Sequence, residues 1–465
     1  QTGFVVASQA GVVEEARSYN GFGELAEQVW RASGVPILVE RFQRDGLGRV
    51  VGKEEEQGGQ LTRWEYGYDG AGRLVLERKI LADGSVLESQ WSYDANGNRL
   101  AERKPDGTLL TASYDAQDRI VAYGDFTFTH SHNGELLSKC QGSFCRSFVY
   151  DVFGNLRQVV MDSGQVIEYL VDGRNRRVGK RVDGVLVQGY LYDDQLRILA
   201  ELDGGSNVVA TFVYGEGINV PELMVKGGRT YRLVKDNLGS VRLVVDTGDG
   251  TIVQEMRYDA WGNVTYDSNP GFQPFGFAGG LYDPQTRLVR FGARDYDASI
   301  GRWMGKDPYL ENSGSANFFA YVYNDPTNGT DSLGLMVIEG KPPVVPVPPQ
   351  CSATNWWICG SELFPNDRGR PRWYLYYSEP IPIAGLGLDA ETHVCICYWK
   401  MARWEWLARI RWCRVVRCCA GCKKYTETAF NYGTASEPVW GGEVRTTMGV
   451  WDSAQQRCLY CRYPD

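Results

Sequence analysis

Apolar positions along this chain come in short strand-like runs, and a tyrosine–aspartate step followed by small polar residues interrupts them again and again. The step recurs at Tyr68-Asp69, Tyr93-Asp94, Tyr114-Asp115, Tyr150-Asp151, Tyr192-Asp193 and Tyr258-Asp259. Most copies continue with Gly or Asn, then Arg or Asn, then an aliphatic residue, as in Gly97-Asn98-Arg99-Leu100 and Gly154-Asn155-Leu156. The first spacings are 25 and 21 residues, the period of a repeat architecture. Each copy reads as a hairpin. The tyrosine ends one strand, packing its ring on the next repeat with its hydroxyl facing water. Aspartate and Gly/Asn reverse the chain, because Asp bonds nearby backbone and Gly accepts positive φ. A lone hairpin cannot bury its apolar face, so the stacked units predict one long curling sheet and an all-β fold.

Composition agrees with strands and tight turns: 55 glycines, 27 tyrosines and only 3 histidines in 465 residues. The net charge of -8 argues against nucleic acid as a partner of the whole molecule. No apolar run reaches membrane-spanning length. The chain opens on Gln1 without a charged-then-apolar leader, which we read as a piece of something longer. Charge and cysteine are unevenly spread. Residues 336–465 carry 15 Lys/Arg against 12 Asp/Glu and hold ten of the 12 cysteines, so two different domains share the chain. Between them, "GKPPVVPVPPQ" (340–350) has five prolines in eleven residues and makes an extended spacer. The expected division is repeat sheet over 1–270, a distinct segment over 271–335, linker over 336–350 and cysteine-rich domain over 351–465.

Residues 60–335 resemble the C-terminal part of Rhs proteins, the YD-repeat family of polymorphic toxins. "YRLVKDNLGSVRLVVD" (Tyr231–Asp246), "GLYDPQTRLVRFGARDYDASIGRWMGKDP" (Gly280–Pro308) and "NFFAYVYNDPTNGTDSLGL" (Asn317–Leu335) carry the resemblance, the last two to the Rhs-associated core. It implies that the repeats spiral into a hollow β-shell, that the core closes one end, and that the segment after the core is a toxin held inside. It also implies self-cleavage after the leucine of an Asp-Pro-x-Gly-Leu motif. Here the motif reads Asp331-Ser332-Leu333-Gly334-Leu335, which places the cut at Leu335–Met336. Ser332 stands where the family has proline, which frees the φ that a proline would fix.

Aspartyl chemistry needs two close carboxylates, one protonated, to activate water and to protonate the leaving amide. The core offers Asp295, Asp297, Asp307 and Asp331. By resemblance, Arg294, Asp295 and Asp307 match the family's autoprotease motif. Asp307 with Asp331 or Asp295 is the expected acid–base pair, Arg294 orients a carboxylate or the scissile carbonyl, and Gly334 permits close backbone approach. The same residues also read as turn starters and a plain ion pair.

The tail resembles no family. Cys419 and Cys422, Cys458 and Cys461, with Cys395 and Cys397, supply either disulfides, a structural zinc or a reactive thiol. "WKMARWEWLARIRWCRVVRCCAGCKK" (Trp399–Lys424) has eight basic residues and one acid. Trp399, Ala402, Trp406, Ile410, Cys413 and Val416 fall near one helical face, suiting an anionic membrane, nucleic-acid phosphates or a protein core. Arg409-Ile410-Arg411-Trp412 alternates as a strand would. His393, the tail's one histidine, lacks the His-x-Glu partner of zinc deaminases. The reading is a secreted or delivered protein whose partners are its own C-terminal cargo, an immunity protein and a secretion machine, with no cofactor beyond that zinc. The rival is a non-enzymatic surface protein with an adhesive repeat sheet and a disulfide-rich binding module.

Overall fold

The computed structural model describes residues 5–215, 217–308 and 317–335, and in the tail the backbone of strands lying between Cys351 and Leu459. Two compact units divide the chain, Val5–Gly340 and chiefly Lys341–Asp465.

The first unit is dominated by one sheet of 25 strands, β1 (Ala7–Ala10) to β25 (Val264–Asp267). Each strand is antiparallel to the next in sequence, so the sheet is a continuous meander. It starts well before residue 60, where the sequence resemblance begins.

The tyrosine–aspartate phrase is the turn, as expected. Asp69 Oδ1 accepts the N–H groups of Ala71 and Arg73 at 2.9 and 3.0 Å, and the turn is completed by Gly72 in the left-handed region at φ +84°. The tyrosine hydroxyl, however, does not face water. It donates to the carbonyl of the residue that opens the preceding repeat's return strand. Tyr93 reaches Leu74 (2.7 Å), Tyr114 reaches Arg99 (2.9 Å), Tyr192 reaches Arg177 (2.8 Å) and Tyr258 reaches Val241 (2.9 Å). An arginine of the preceding turn covers the ring: Arg49 over Tyr68 at 4.6 Å and Arg73 over Tyr93 at 4.9 Å. Tyrosine is therefore a stitch between neighbouring repeats. Tyr93→Phe strands the Leu74 carbonyl and should cost about 1–2 kcal/mol by denaturant unfolding. The Tyr150 hydroxyl is buried without a partner among the described residues. Tyr150→Phe should accordingly be neutral or slightly stabilising.

The last turn position distinguishes two kinds of repeat. Where it is arginine, as at Arg73, Arg119 and Arg176, the side chain ties down its own Asp and donates to a carbonyl of the next turn. Where it is small and polar, a residue of 271–335 bonds there instead. Asn98 accepts from Arg302 (3.1 Å), Asn155 from Arg290 (2.8 Å) and Ser240 from the Ala278 N–H (3.0 Å), while Asn263 donates to the Ala298 carbonyl (2.9 Å). Asparagine in the phrase thus marks where the later segment docks. That segment carries a small sheet of β26 (Leu281–Tyr282), β27 (Val289–Phe291), β28 (Arg294–Asp297) and β29 (Arg302–Trp303). Its aromatic centre is Phe277, Phe291, Tyr296, Trp303 and Tyr321, with Tyr296 and Tyr321 ring centroids 4.5 Å apart.

The sheet also returns on itself. The Val12 N–H donates to the Thr247 carbonyl at 2.9 Å, and Val13, Trp30 and Leu38 share a core with Val234, Leu243 and Val245. A buried ionic belt lies along this seam. Arg242 binds both oxygens of Glu55 at 2.8 Å, and Arg232 pairs with Glu222 (2.7 Å) and Glu15 (3.4 Å). Glu40 is fully buried, and its ionic partners among the described residues, Lys53 (3.5 Å) and Arg242 (3.6 Å), are more distant. Burial pushes its carboxyl up to about 7, against the pull of Lys53. Glu55 is held below the usual carboxylate range, because Lys53 and Arg242 outweigh its burial. An unfolded glutamate titrates near ~4.3, so between that pH and 7 the folded chain holds the extra proton. The Glu40 contribution to stability therefore falls as pH rises through this window. Glu40→Gln should remove about 1–3 kcal/mol of that fall between pH 5 and 8, read from paired denaturant curves.

Cys140 and Cys145 stand opposite each other on β13 (Leu136–Gln141) and β14 (Phe144–Tyr150) and are disulfide-bonded, so the described disulfide lies in the repeat sheet, not in the tail. Within the tail, Thr392–Ala402 and Leu407–Cys418 are strands, paired with Trp440–Asp452 and Lys423–Asn431. The helical reading of Trp399–Lys424 therefore gives way to the strand reading. The alternation Arg409-Ile410-Arg411-Trp412, with Val415 and Val416 beyond it, favours an extended chain over a helix. Cys395 and Cys397 lie on the first of these strands and Cys458 on Arg457–Leu459, whereas Cys419, Cys422 and Cys461 lie outside the described residues.

Candidate active site

β27 and β28 form a tight hairpin through Gly292-Ala293, and the stretch Asp331–Leu335 lies against it. The Ala293 N–H donates to the Leu333 carbonyl at 2.9 Å. Glycine is required on both sides of this approach. A Cβ on Gly292 (φ +41°) would sit 2.3 Å from the Leu333 oxygen, and one on Gly334 (φ +64°) would sit 2.3 Å from the Phe291 oxygen.

Arg294 organises the site. Its guanidinium is buried, packs on the Trp303 ring at 4.0 Å and meets four groups. Nη2 contacts Asp307 at 2.8 Å and Asp331 at 3.1 Å, Nε donates to the Gly334 carbonyl at 2.6 Å, and Nη1 donates to the Phe318 carbonyl at 3.3 Å. Asp331 in turn accepts the Leu335 N–H at 3.0 Å. One nitrogen thus serves two buried carboxylates while the same side chain grips the carbonyl one residue before Leu335. Leu333 and Leu335 are buried and anchor this segment in the core. Tyr321 packs beside Asp331, and burial pushes its phenol well above its ordinary value.

The sequence candidates therefore separate into two groups. Arg294, Asp307, Asp331, Gly334 and Leu335 come together; Met336 lies outside the described residues. Asp295 goes elsewhere. Neighbours on a strand face opposite sides, and its carboxylate pairs with Arg177 at 2.6 Å and Arg290 at 2.8 Å. Asp297 pairs with Lys139 at 2.8 Å. Sequence reading missed Trp303, Gly292 and the Phe318 carbonyl, although "GRWMGKDP" held the tryptophan in plain view. Among the described residues no group of three His, Cys, Asp or Glu side chains is arranged to hold a metal ion.

Comparison with known proteins gives the lineage. The family described as Teneurin YD-shell matches residues 1–327. Teneurin-4 of Mus musculus is 28% identical over 342 residues, 70% of this chain and 12% of its own length. Teneurin-3 of Danio rerio is 32% identical over 288 residues, 57% and 10%. The tRNA3(Ser)-specific nuclease WapA of Bacillus spizizenii is 28% identical over 274 residues, 56% and 11%. The chain spans about a tenth of the length of these curated relatives. A crystal structure of TcdB2-TccC3-Cdc42 aligns at 15% identity and a TM-score of 0.33, over 70% of this chain and 22% of that one. With its continuous meander, its repeated tyrosine stitch and a family match over 1–327, the chain is a YD/Rhs-repeat protein and belongs to the teneurin YD-shell family.

Proposed function

We propose that the chain is part of a toxin-delivery shell that cuts itself after Leu335 and keeps residues 336–465 as an effector. The observation that carries this reading is the convergence of Asp307, Asp331 and the Gly334 carbonyl on Arg294. In the reaction, one ionised carboxylate takes a proton from water while the oxygen adds to the Leu335 carbonyl carbon. The other, protonated carboxyl gives its proton to the Met336 nitrogen as the C–N bond breaks. Arg294 holds both acids and the strand carrying the bond in register, which is catalysis by positioning and charge. The WapA relative, named as a nuclease, supports an effector role for some YD-repeat chains, and the basic Trp399–Lys424 stretch keeps membranes and nucleic acids as target classes.

Asp331→Asn tests the acid–base role. The variant should run as one full-length band on a denaturing gel where the wild type gives two; two bands from the variant would refute the role of Asp331. Residues 336–465 expressed alone in bacteria should arrest growth if they are an effector. Normal growth with confirmed expression would favour the surface-protein reading, in which the chain stays whole.

A further inference from the structure

A second polar site lies beside the segment Asp331–Leu335, on the face that Asp295 occupies. A small, half-open cleft is lined by Arg176, Arg177, Tyr192, Gln195, Arg290 and Ser332. Its charges do not balance. Arg177 and Arg290 are both buried, and both pair with the single carboxylate of Asp295. The neighbouring ions are otherwise engaged: Arg176 with Asp172 at 2.7 Å and Lys180 with Asp283 at 2.7 Å. Asp194 is exposed and accepts the N–H groups of Leu196 and Arg197. The Nε atoms of Arg177 and Arg290 are buried with no hydrogen-bond partner among the described residues. Two buried guanidiniums sharing one carboxylate leave a positive charge out of water, an arrangement that costs free energy unless an anion completes it. Burial, with Arg177 alongside, pulls the Arg290 guanidinium below its ordinary value, whereas Asp295, Tyr169 and Asp283 outweigh burial and hold Arg177 above its own, so the uncompensated charge falls on Arg290.

We propose that this cleft is a binding site for a small tetrahedral oxyanion of the phosphate class. Guanidinium forks suit phosphate oxygens geometrically, and the Gln195 amide and Ser332 hydroxyl add neutral donors for the remaining oxygens. Ser332 brings a hydroxyl donor to the cleft wall. The site stands whether or not the bond after Leu335 is cut, because its occupancy is read by binding alone.

The test is calorimetric titration of the full chain with inorganic phosphate in chloride buffer at constant ionic strength, with acetate as a parallel arm. The wild type should show saturable one-site phosphate binding, and Ser332→Ala and Gln195→Ala should each weaken it by ~3–10-fold, the loss of one hydrogen bond to an anion. Both substitutions spare the Asp295 ion pairs, so folding is expected to survive. Absence of saturable phosphate binding to the wild type would overturn the site. So would two folded variants binding as the wild type does, or acetate binding as tightly as phosphate.

Discussion

Asp307→Asn is expected to leave the chain in one piece, with cutting after Leu335 slowed at least ~10³-fold, the scale of losing an acid or base together with its positioning. Asparagine preserves the shape and one acceptor oxygen, so Arg294 stays anchored while the carboxyl that transfers the proton is gone. Asp295→Asn is the informative contrast. Its neighbours are Arg177 and Arg290, not Arg294, so it weakens a buried ion-pair cluster and should cost about 3–5 kcal/mol of stability. Cutting should persist in whatever fraction folds. A gel time course during folding, with circular dichroism as the control for structure, separates the two. Loss of cutting in Asp295→Asn with retention in Asp307→Asn would reverse the assignment.

Gly334→Ala should be the most damaging single methyl group in the segment Asp331–Leu335. The added Cβ would lie 2.3 Å from the Phe291 oxygen and 2.9 Å from the Arg294 nitrogen, at φ +64°. Both obstacles are backbone, so neither can swing aside, and the positive φ adds its own strain. Asp331–Leu335 would then have to lift from the hairpin, breaking the Arg294–Gly334 bond on which positioning depends. We expect about 2–4 kcal/mol of destabilisation by denaturant and a fall in cutting of more than ~100-fold. Gly271 provides the control. It too has positive φ (+82°), but a Cβ there meets nothing within 4 Å, so Gly271→Ala should cost only about 1 kcal/mol of backbone strain and leave cutting intact.

Much of the sheet could be read from single turns, because Asp, Gly and Asn act within four residues. The destination of the tyrosine hydroxyl could not, since it depends on how one repeat stacks on the last. Alternation between arginine and asparagine at the final turn position was visible as variation. It acquired meaning only when Asn98, Asn155 and Asn263 proved to be where the later segment docks. The seam was hidden for a similar reason: Glu15 and Arg232 meet across 217 residues of sequence. At the site, proximity along the chain misled. Asp295 is adjacent to Arg294, yet strand alternation turns it to the other face, while Asp331, 37 residues away, is the one that reaches the arginine. The family match stops at residue 327, short of Asp331–Leu335, so the proposed cut rests on the resemblance to the Rhs-associated core and on the convergence of Asp307, Asp331 and the Gly334 carbonyl on Arg294.

Self-cleavage after Leu335 can be read from the intact mass of the purified wild-type chain, measured after native size-exclusion chromatography. Two polypeptides should elute together, one ending at Leu335 and one beginning at Met336. A single uncut chain of 465 residues, or a boundary anywhere other than Leu335–Met336, would contradict it.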